Sequence, residues 1–266
     1  MLSSNIQILY IADVVGEPGY EIVSSCIQDL KKKGNIDLTI ANGENSASGK
    51  GMTANIAQSF FDLGIDVITS GNHIWHKEKF LPILDENPRI LRPLNYPPDC
   101  PGHGSCIVEI AQDYRIGVIN LQGRSFMYSI DCPFRSADSE IERLTKEGIR
   151  VIIVDFHAEA TAEKIALGWY LDGRVSGLIG SHTHVQTADE RILPGGTAYI
   201  TDAGMTGPFN SVIGMDKDVA INRFLTQLPV RYKIAQGDTK FCGVILSVDG
   251  NSGRSHSISR YQITHR

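Results

Sequence analysis

Residues 6–16 have the sequence IQILYIADVVG, in which an apolar run ends at an acidic residue and a glycine follows. The run 6–12 is rich in residues that favour β-structure, and this pattern predicts a buried strand. Residues 20–33 follow with apolar side chains at helical spacing, and Gly34 ends the predicted helix. A strand followed by an amphipathic helix is typical of α/β folds, and it puts Asp13 at the carboxyl end of the first strand.

The same alternation continues along most of the chain. Strands are predicted at residues 37–41, 67–70, 106–110, 115–121, 150–156, 176–180 and 197–200. Helices are predicted after an N-cap at Thr53 and at residues 136–147, 161–171 and 217–226. Hairpins are predicted about Gln112 and Asp113 and about residues 251–253. Since the sequence shows no repeat and no linker, we expect residues 1–266 to form a single α/β domain with helices on both faces of its sheets.

Composition narrows the classes of protein to which the chain can belong. The 266 residues are 42 % hydrophobic and 21 % charged, which is ordinary for a globular protein with a sizeable core. The net charge of −5 argues against electrostatic binding of DNA. No apolar stretch reaches the roughly 20 residues of a membrane helix, and no early segment resembles a signal peptide. Five cysteines without a Cys-x-x-Cys pair favour a reducing, cytoplasmic setting.

Five polar clusters each follow a predicted strand. They are Asp13, Glu44 with Asn45, Asn72 with His73, His157, and His182 with His184. Taken singly, each has a common structural explanation as a helix cap, a turn or a hydrogen-bonded loop residue. Because all five fall at carboxyl ends of predicted strands, we expect them to meet at one sheet edge, where ligands bind in α/β folds.

The side chains of these clusters suit divalent metal ions. Imidazole, carboxylate and amide groups are ligands for Zn, Mn or Fe, and no thiolate is offered. A His-x-His segment can direct its two rings to neighbouring ions, and a carboxylate such as Glu44 can bridge them. Two ions about 3.5–4 Å apart stabilise the attacking and leaving oxygens in phosphoester hydrolysis. The sequence therefore predicts a hydrolase of phosphoesters with a two-metal centre.

The order Asp, Gly-Glu-Asn, Gly-Asn-His, His and Gly-x-His-x-His resembles the calcineurin-like metallophosphoesterase superfamily. Longer strings resemble its YmdB branch of bacterial cyclic-nucleotide phosphodiesterases over almost the whole chain. They are DVVG at 13–16, NGEN at 42–45, GNHIW at 71–75, DFHAEA at 155–160 and TDAGMTG at 201–207. The resemblance implies a metallophosphoesterase-like β-sandwich of mixed sheets flanked by helices, with four layers in the order α/β/β/α.

The resemblance also implies a role for each residue. One ion would be held by Asp13, Glu44, Asn45 and His184, and the other by Glu44, Asn72, His157 and His182, so that Glu44 bridges them. His73 would be the general acid or would stabilise the phosphoryl charge. Val15 stands where the wider superfamily has a histidine, and Asn45 would fill that vacancy. The branch shares this feature and suggests iron or manganese.

The reaction implied in this way is hydrolysis of a small phosphodiester by a metal-bridging hydroxide. By resemblance, 2′,3′- or 3′,5′-cyclic nucleotides are the favoured substrates. Two alternatives remain open: a phosphomonoesterase or 5′-nucleotidase with the same centre, and a regulatory or scaffolding protein whose metal site is secondary. We expect no DNA partner and no membrane, and relatives suggest a homo-oligomer.

The stretch 122–135 lacks a clear period and follows a predicted strand, so that it would overhang the metals. It contains Arg124, Phe126, Tyr128 and Phe134. One hypothesis makes it a substrate lid that stacks on a base or contacts phosphate, and the alternative is an ordinary loop packed by its aromatic side chains. Position also suggests that Asp202 and Thr206 orient the metal-binding histidines.

Overall fold

The computed structural model describes residues 5–110 and 114–264, and two β-sheets form its centre. The strands are β1 (Asn5–Ile11), β2 (Asp13–Val14), β3 (Leu38–Asn42), β4 (Val67–Thr69), β5 (Ser105–Glu109), β6 (Arg115–Gln122), β7 (Val151–His157), β8 (Gly177–Ser181), β9 (Arg191–Ile192), β10 (Ala198–Ile200), β11 (Met205–Pro208), β12 (Thr239–Asp249) and β13 (Ser255–Thr264). The helices are α1 (Gly16–Gly34), α2 (Ala54–Asp62), α3 (Leu81–Glu86), α4 (Pro133–Lys146), α5 (Thr161–Leu171) and α6 (Lys217–Thr226).

Both sheets mix parallel and antiparallel pairs. The first has the order β2-β11-β12-β1-β3-β4, and β13 pairs with β12. Within it β1, β3 and β4 are parallel neighbours. The second has the order β5-β6-β7-β8-β10-β9, in which β6, β7, β8 and β10 run parallel. Each sheet therefore has a group of parallel strands whose carboxyl ends lie on one side.

The sheets pack face to face, with helices on the outer face of each. Alternate residues of β1 point to opposite sides, as the period of a strand requires. Ile8 and Tyr10 join Val118 and Ile153 of the other sheet in a shared core. Leu9 and Ile11 pack under α1 and α2, and the outer face of the second sheet packs under α4 and α5. The implied four-layer α/β/β/α sandwich is confirmed.

Most predicted elements are present, with small changes at their ends. Helices α5 and α6 begin and end where the sequence predicted, and the Thr53 hydroxyl accepts the N–H of Ile56 as the N-cap of α2. Helix α1 begins earlier than predicted, at Gly16, whose φ of 62° turns the chain sharply after β2. The predicted hairpin turn at Gln112 and Asp113 lies outside the described residues, although β5 and β6 pair antiparallel beside it. Within the described residues, no helix has both the length and the apolar character needed to cross a bilayer.

Candidate metal centre

The five polar clusters come together at the junction of the two sheets. Asp13 and Glu44 follow β1 and β3 of the first sheet, whereas His157 ends β7 and His182 follows β8 of the second. The expectation of a single sheet edge was wrong, because the parallel strands are divided between two sheets. The clusters still meet, since the carboxyl ends of both parallel groups lie on the same side of the sandwich.

The first group of side chains surrounds the amide of Asn45. Its Nδ2 lies 3.5 Å from Asp13 Oδ1, 3.2 Å from Glu44 Oε1 and 3.2 Å from His184 Nε2. His184 Nε2 is also 3.8 Å from Asp13 Oδ1. An N–H donor therefore lies where two carboxylates and an imidazole converge, which is the place a cation would take among the same three groups.

The second group is centred on His157. Its Nε2 lies 3.1 Å from Glu44 Oε1, 3.1 Å from Asn72 Oδ1 and 3.0 Å from His182 Nδ1. One ligand atom from each of Glu44, His157 and His182 lies within 4.8 Å of the others, as ligands of a shared ion do. Glu44 belongs to both groups, so the structure brings together all seven residues that the sequence predicted as ligands.

Burial and mutual contacts shift the pKa values of the groups in this cluster. Burial and the neighbouring carboxylates raise the pKa of Asp13 well above its usual value. Burial alone would lower the pKa of His157, but Glu44, Asp13 and Asp155 outweigh it and raise that pKa to about 9. Burial and His157 lower the pKa of His182 to about 3, which keeps its ring neutral and able to bind a metal. The carboxylate, imidazole and amide donors of the cluster fit metal ions.

His73 lies beside these groups at the wall of an open cavity. Its backbone N–H donates to Glu44 Oε2 at 3.1 Å, and its Nδ1 lies 3.1 Å from Asn45 Oδ1. The cavity has a volume of about 340 Å³ and is also lined by Lys50 and His184. A small phosphoester can therefore reach the candidate ligands and His73 together.

A buried carboxylate that the sequence analysis missed supports His157 from behind. His157 Nδ1 is 3.0 Å from Ser181 Oγ, and Ser181 donates to Asp155 Oδ1 at 2.6 Å. Asp155 and His157 are two residues apart in β7 and so point to the same side of the sheet. The sequence contained a signal for Asp155, because it is an acidic residue inside an apolar strand, two positions before a candidate ligand. This hydrogen-bonded series fixes the tautomer of His157 in the way that outer carboxylates do in metal sites.

The loop with the two histidines 182 and 184 is held by Asp202. Asp202 Oδ2 accepts the N–H and the hydroxyl of Thr183 at 3.0 and 2.7 Å, and also the Lys164 ammonium at 2.7 Å. His182 and His184 have φ values of 100° and 65°, which residues other than glycine rarely adopt. The hydrogen bonds from Thr183 to Asp202 therefore help to hold this loop. The predicted role of Asp202 is therefore indirect, through Thr183. The suggestion for Thr206 was wrong, because its hydroxyl bonds the backbone of Cys242.

Two close neighbours complete the environment of the second group. Glu159 Oε2 lies 3.1 Å from His182 Nε2, on the side of the ring away from His157. Gly71 packs directly on the His157 ring, which occupies the space that a Cβ would need. A side chain at Gly71 would displace His157, so the glycine of the Gly-Asn-His string has a packing reason.

Only some of the aromatic side chains in the stretch 122–135 pack against the rest of the protein. Phe134 packs on Tyr170 with ring centroids 5.3 Å apart, as an ordinary loop would have it. Phe126 and Tyr128, in contrast, are exposed. Arg124 lines a separate cavity with Arg135, away from the candidate ligands. The alternative of a self-packed loop is therefore wrong for the two exposed rings, and the idea that Arg124 contacts phosphate is not supported by its position.

Comparisons with known proteins agree with the geometry. The model of the family described as YmdB-like protein matches residues 9–261. The 2′,3′-cyclic-nucleotide 2′-phosphodiesterase of Bacillus subtilis (strain 168) is 49 % identical over 257 residues, which is 97 % of each chain. The crystal structure of a hypothetical protein from Thermus thermophilus superposes with a TM-score of 0.92 at 40 % identity, covering 98 % of this chain and 100 % of that one.

A third relative is also known from its structure. The crystal structure of a novel phosphatase from Mycoplasma pneumoniae matches with a TM-score of 0.91 at 34 % identity, covering 98 % of this chain and 94 % of that one. The family match and the identity to these relatives extend over nearly the full chain. The chain therefore belongs to the YmdB-like protein family, as its motifs predicted, and is an enzyme of the phosphoesterase class.

Proposed function

We propose that this chain is a metal-dependent phosphodiesterase that hydrolyses cyclic nucleotides. The observation that carries the proposal is the sharing of Glu44 between two groups of buried ligand atoms, beside an open cavity. The name of the Bacillus subtilis relative supports 2′,3′-cyclic nucleotides as the first substrates to test. The 3′,5′-cyclic nucleotides are the second, because they carry the same diester chemistry.

In this proposal each predicted ligand keeps its role. Asp13, Glu44, Asn45 and His184 would hold one ion, and Glu44, Asn72, His157 and His182 the other. Iron or manganese would suit these nitrogen and oxygen donors. Such ions would neutralise the charge that develops on the phosphoryl oxygens. They would also lower the pKa of bound water, so that hydroxide would be available to attack near neutral pH. Asn45 would bind through Oδ1, so its amide would turn over from the orientation described above.

His73 is the residue left for proton transfer. It lines the cavity, and its backbone is fixed by the bond to Glu44, so the ring has a defined position relative to the ligands. Once the Asn45 amide has turned over, its Nδ2 would donate to His73 Nδ1, so that Nε2 carries the ring proton and would give it to the leaving oxygen. The five cysteines are free thiols, which agrees with the proposed cytoplasmic setting.

Metal analysis combined with a substrate panel tests the proposal. The protein, loaded with Mn²⁺ or Fe²⁺, should hydrolyse 2′,3′-cyclic AMP faster than the corresponding monophosphates. Glu44→Gln should lose at least about 100-fold in kcat/KM and most of its bound metal, since the shared charge is removed. Glu142→Gln is the matched control, because Glu142 lies on the exposed face of α4 and pairs only with Lys146 among the contacts described for it.

Three outcomes would contradict the proposal. Full activity in Glu44→Gln would remove the shared ligand from the mechanism. Activity of a preparation from which chelation has removed all transition metal would exclude metal dependence. Faster hydrolysis of a nucleoside monophosphate than of its cyclic diester would support the alternative of a phosphomonoesterase.

A further inference from the structure

Two large aromatic side chains lie in water at the edge of the candidate metal centre. Phe126 is 91 % exposed and Tyr128 is 66 % exposed. Burial of aromatic rings is normally a large stabilising contribution, and here the fold forgoes it for two rings in one short segment. Neighbouring exposed apolar groups beside a cavity are typical of binding sites.

The loop that carries these rings is anchored at both ends. The Glu163 carboxylate accepts the N–H of Arg124 at 3.0 Å and that of Ser125 at 3.1 Å. Further along, the Asp131 N–H donates to the Asn95 carbonyl at 3.1 Å, and the Asn95 amide donates to the Asp131 carbonyl at 2.9 Å. The exposure of the two rings is therefore a property of a held loop.

The backbone of Phe126 points to the same conclusion. Its φ is 62°, in the left-handed region that a bulky side chain rarely adopts. Strained backbone of this kind is retained mainly where it positions a group for a ligand. Since the Phe126 ring gains little burial from this conformation, packing within the chain does not explain it.

The rings lie on the wall of a cavity that ends at the candidate ligands. This cavity has a volume of about 330 Å³, and the residues that line it are Asn72, Phe126, Met127, Tyr128 and His182. His182 also lines the cavity that contains His73 and Glu44. A single ligand can therefore contact the aromatic rings with one end and the predicted metal ligands with the other.

We propose that Phe126 and Tyr128 form a stacking platform for the base of a nucleotide substrate, here called the aromatic platform. The inference rests on the proposed function, because it concerns how the same centre recognises its substrate. A nucleoside cyclic phosphate has a flat apolar base at one end and an anionic diester at the other, which matches the two ends of the cavity. Stacking tolerates any base, so the platform selects nucleotides over base-free phosphodiesters without selecting among bases.

Tyr232, another aromatic residue near the centre, offers a different place for the base. Tyr232 lines the cavity that contains His73, and it packs against Gly49. Unlike Phe126 and Tyr128, which are exposed, Tyr232 is half-buried, so its ring is already used in packing. The platform is therefore the better assignment, and Tyr232→Ala provides the direct comparison.

Kinetics with two substrates test the platform. The substrates are 2′,3′-cyclic AMP and glycerol 1,2-cyclic phosphate, which has the same five-membered diester and no base. Phe126→Ala and Tyr128→Ala should each raise KM for 2′,3′-cyclic AMP about 5- to 100-fold and leave KM for the base-free diester unchanged. Tyr128→Phe should keep the KM of the unsubstituted protein, because stacking does not need the hydroxyl. Phe224→Ala, which removes a ring that is 71 % exposed on α6, is the matched control and should change neither KM.

The outcomes separate this proposal from the proposed function. If the protein hydrolyses both substrates and the two alanine variants leave KM for 2′,3′-cyclic AMP unchanged, the platform is overturned and the phosphodiesterase stands. An equal rise of KM for both substrates would also overturn it, since loss of stacking cannot affect a base-free diester. A rise selective for the nucleotide in Tyr232→Ala alone would move the base to the other cavity. If the metal-loaded protein hydrolyses neither substrate, both proposals fail.

Discussion

Removal of the Lys164 charge should destabilise both the fold and the histidine loop. Lys164 Nζ lies 2.7 Å from Asp202 Oδ2, and the two side chains are 1 % and 0 % exposed. Loss of one member of a fully buried ion pair costs about 3–5 kcal/mol, because the partner charge is left without compensation. Asp202 keeps its bonds to Thr183 and Gly204, so we expect Lys164→Met to lie near the lower figure.

Thermal unfolding measures this loss, with two comparison variants. About 3 kcal/mol corresponds to a fall in Tm of about 6–12 °C for a chain of this size. Lys146→Met, which removes an exposed partner of Glu142, should leave Tm unchanged. Combining Lys164→Met with Asp202→Asn removes both buried charges, so the double variant should regain part of the lost stability.

The same variant has a consequence at the metal centre. Asp202 Oδ2 is shared between Lys164 and Thr183, and Thr183 lies between His182 and His184. Without its cation, the Asp202 carboxylate is held by Thr183 and Gly204 alone and positions the loop less firmly, so titration should show weaker Mn²⁺ binding at a temperature where the variant is fully folded. The reasoning would be refuted if Tm fell by less than about 2 °C, or if the double variant were no more stable than Lys164→Met.

Two further substitutions test the packing around the site, and one measurement tests the burial of a cysteine on β5. Gly71→Ala puts a Cβ into the His157 ring, so metal affinity should fall at least about tenfold while circular dichroism is unchanged; unaltered affinity would contradict this packing. Asp155→Asn removes a buried charged acceptor and should cost about 2–3 kcal/mol in urea unfolding, and a loss below about 1 kcal/mol would disagree. Burial raises the pKa of the Cys106 thiol to about 12, so at pH 8 it should react with a thiol reagent much more slowly than Cys132, the difference narrowing as pH rises; equal rates would show that Cys106 is accessible.

The sequence predicted elements well where a repeating pattern was long enough to be read. The helix α5 has eleven residues and α6 has ten, and each followed a clear boundary. Strands β2 and β9 have two residues each and β11 has four, which is too short for any period to appear. Such strands exist because neighbouring strands supply their hydrogen bonds, and that information is absent from the local sequence.

The division of the strands between two sheets could not be predicted from their residues. The strands β1, β3, β7 and β8 are all short apolar runs that are buried on both faces, so their patterns are alike. The sequence grouped the polar clusters correctly because each one ends such a strand. The prediction placed all of the clusters at one sheet edge because the local sequence does not show which strands pair. The four-layer sandwich was predicted from the family resemblance alone.

Asp155 explains how side chains from two sheets can form one centre. It lies on β7 of the second sheet, and its Oδ2 accepts hydrogen bonds from Tyr10, Asn42 and Thr69, which belong to β1, β3 and β4 of the first. Its Oδ1 accepts from Ser181, which in turn contacts His157. One buried carboxylate therefore fixes both the spacing of the sheets beneath the centre and the orientation of a central ligand. Burial raises the pKa of Asp155, whereas the hydrogen bonds from these donors lower it and so stabilise the charged form. Loss of any one donor should therefore affect the metal centre and the fold together.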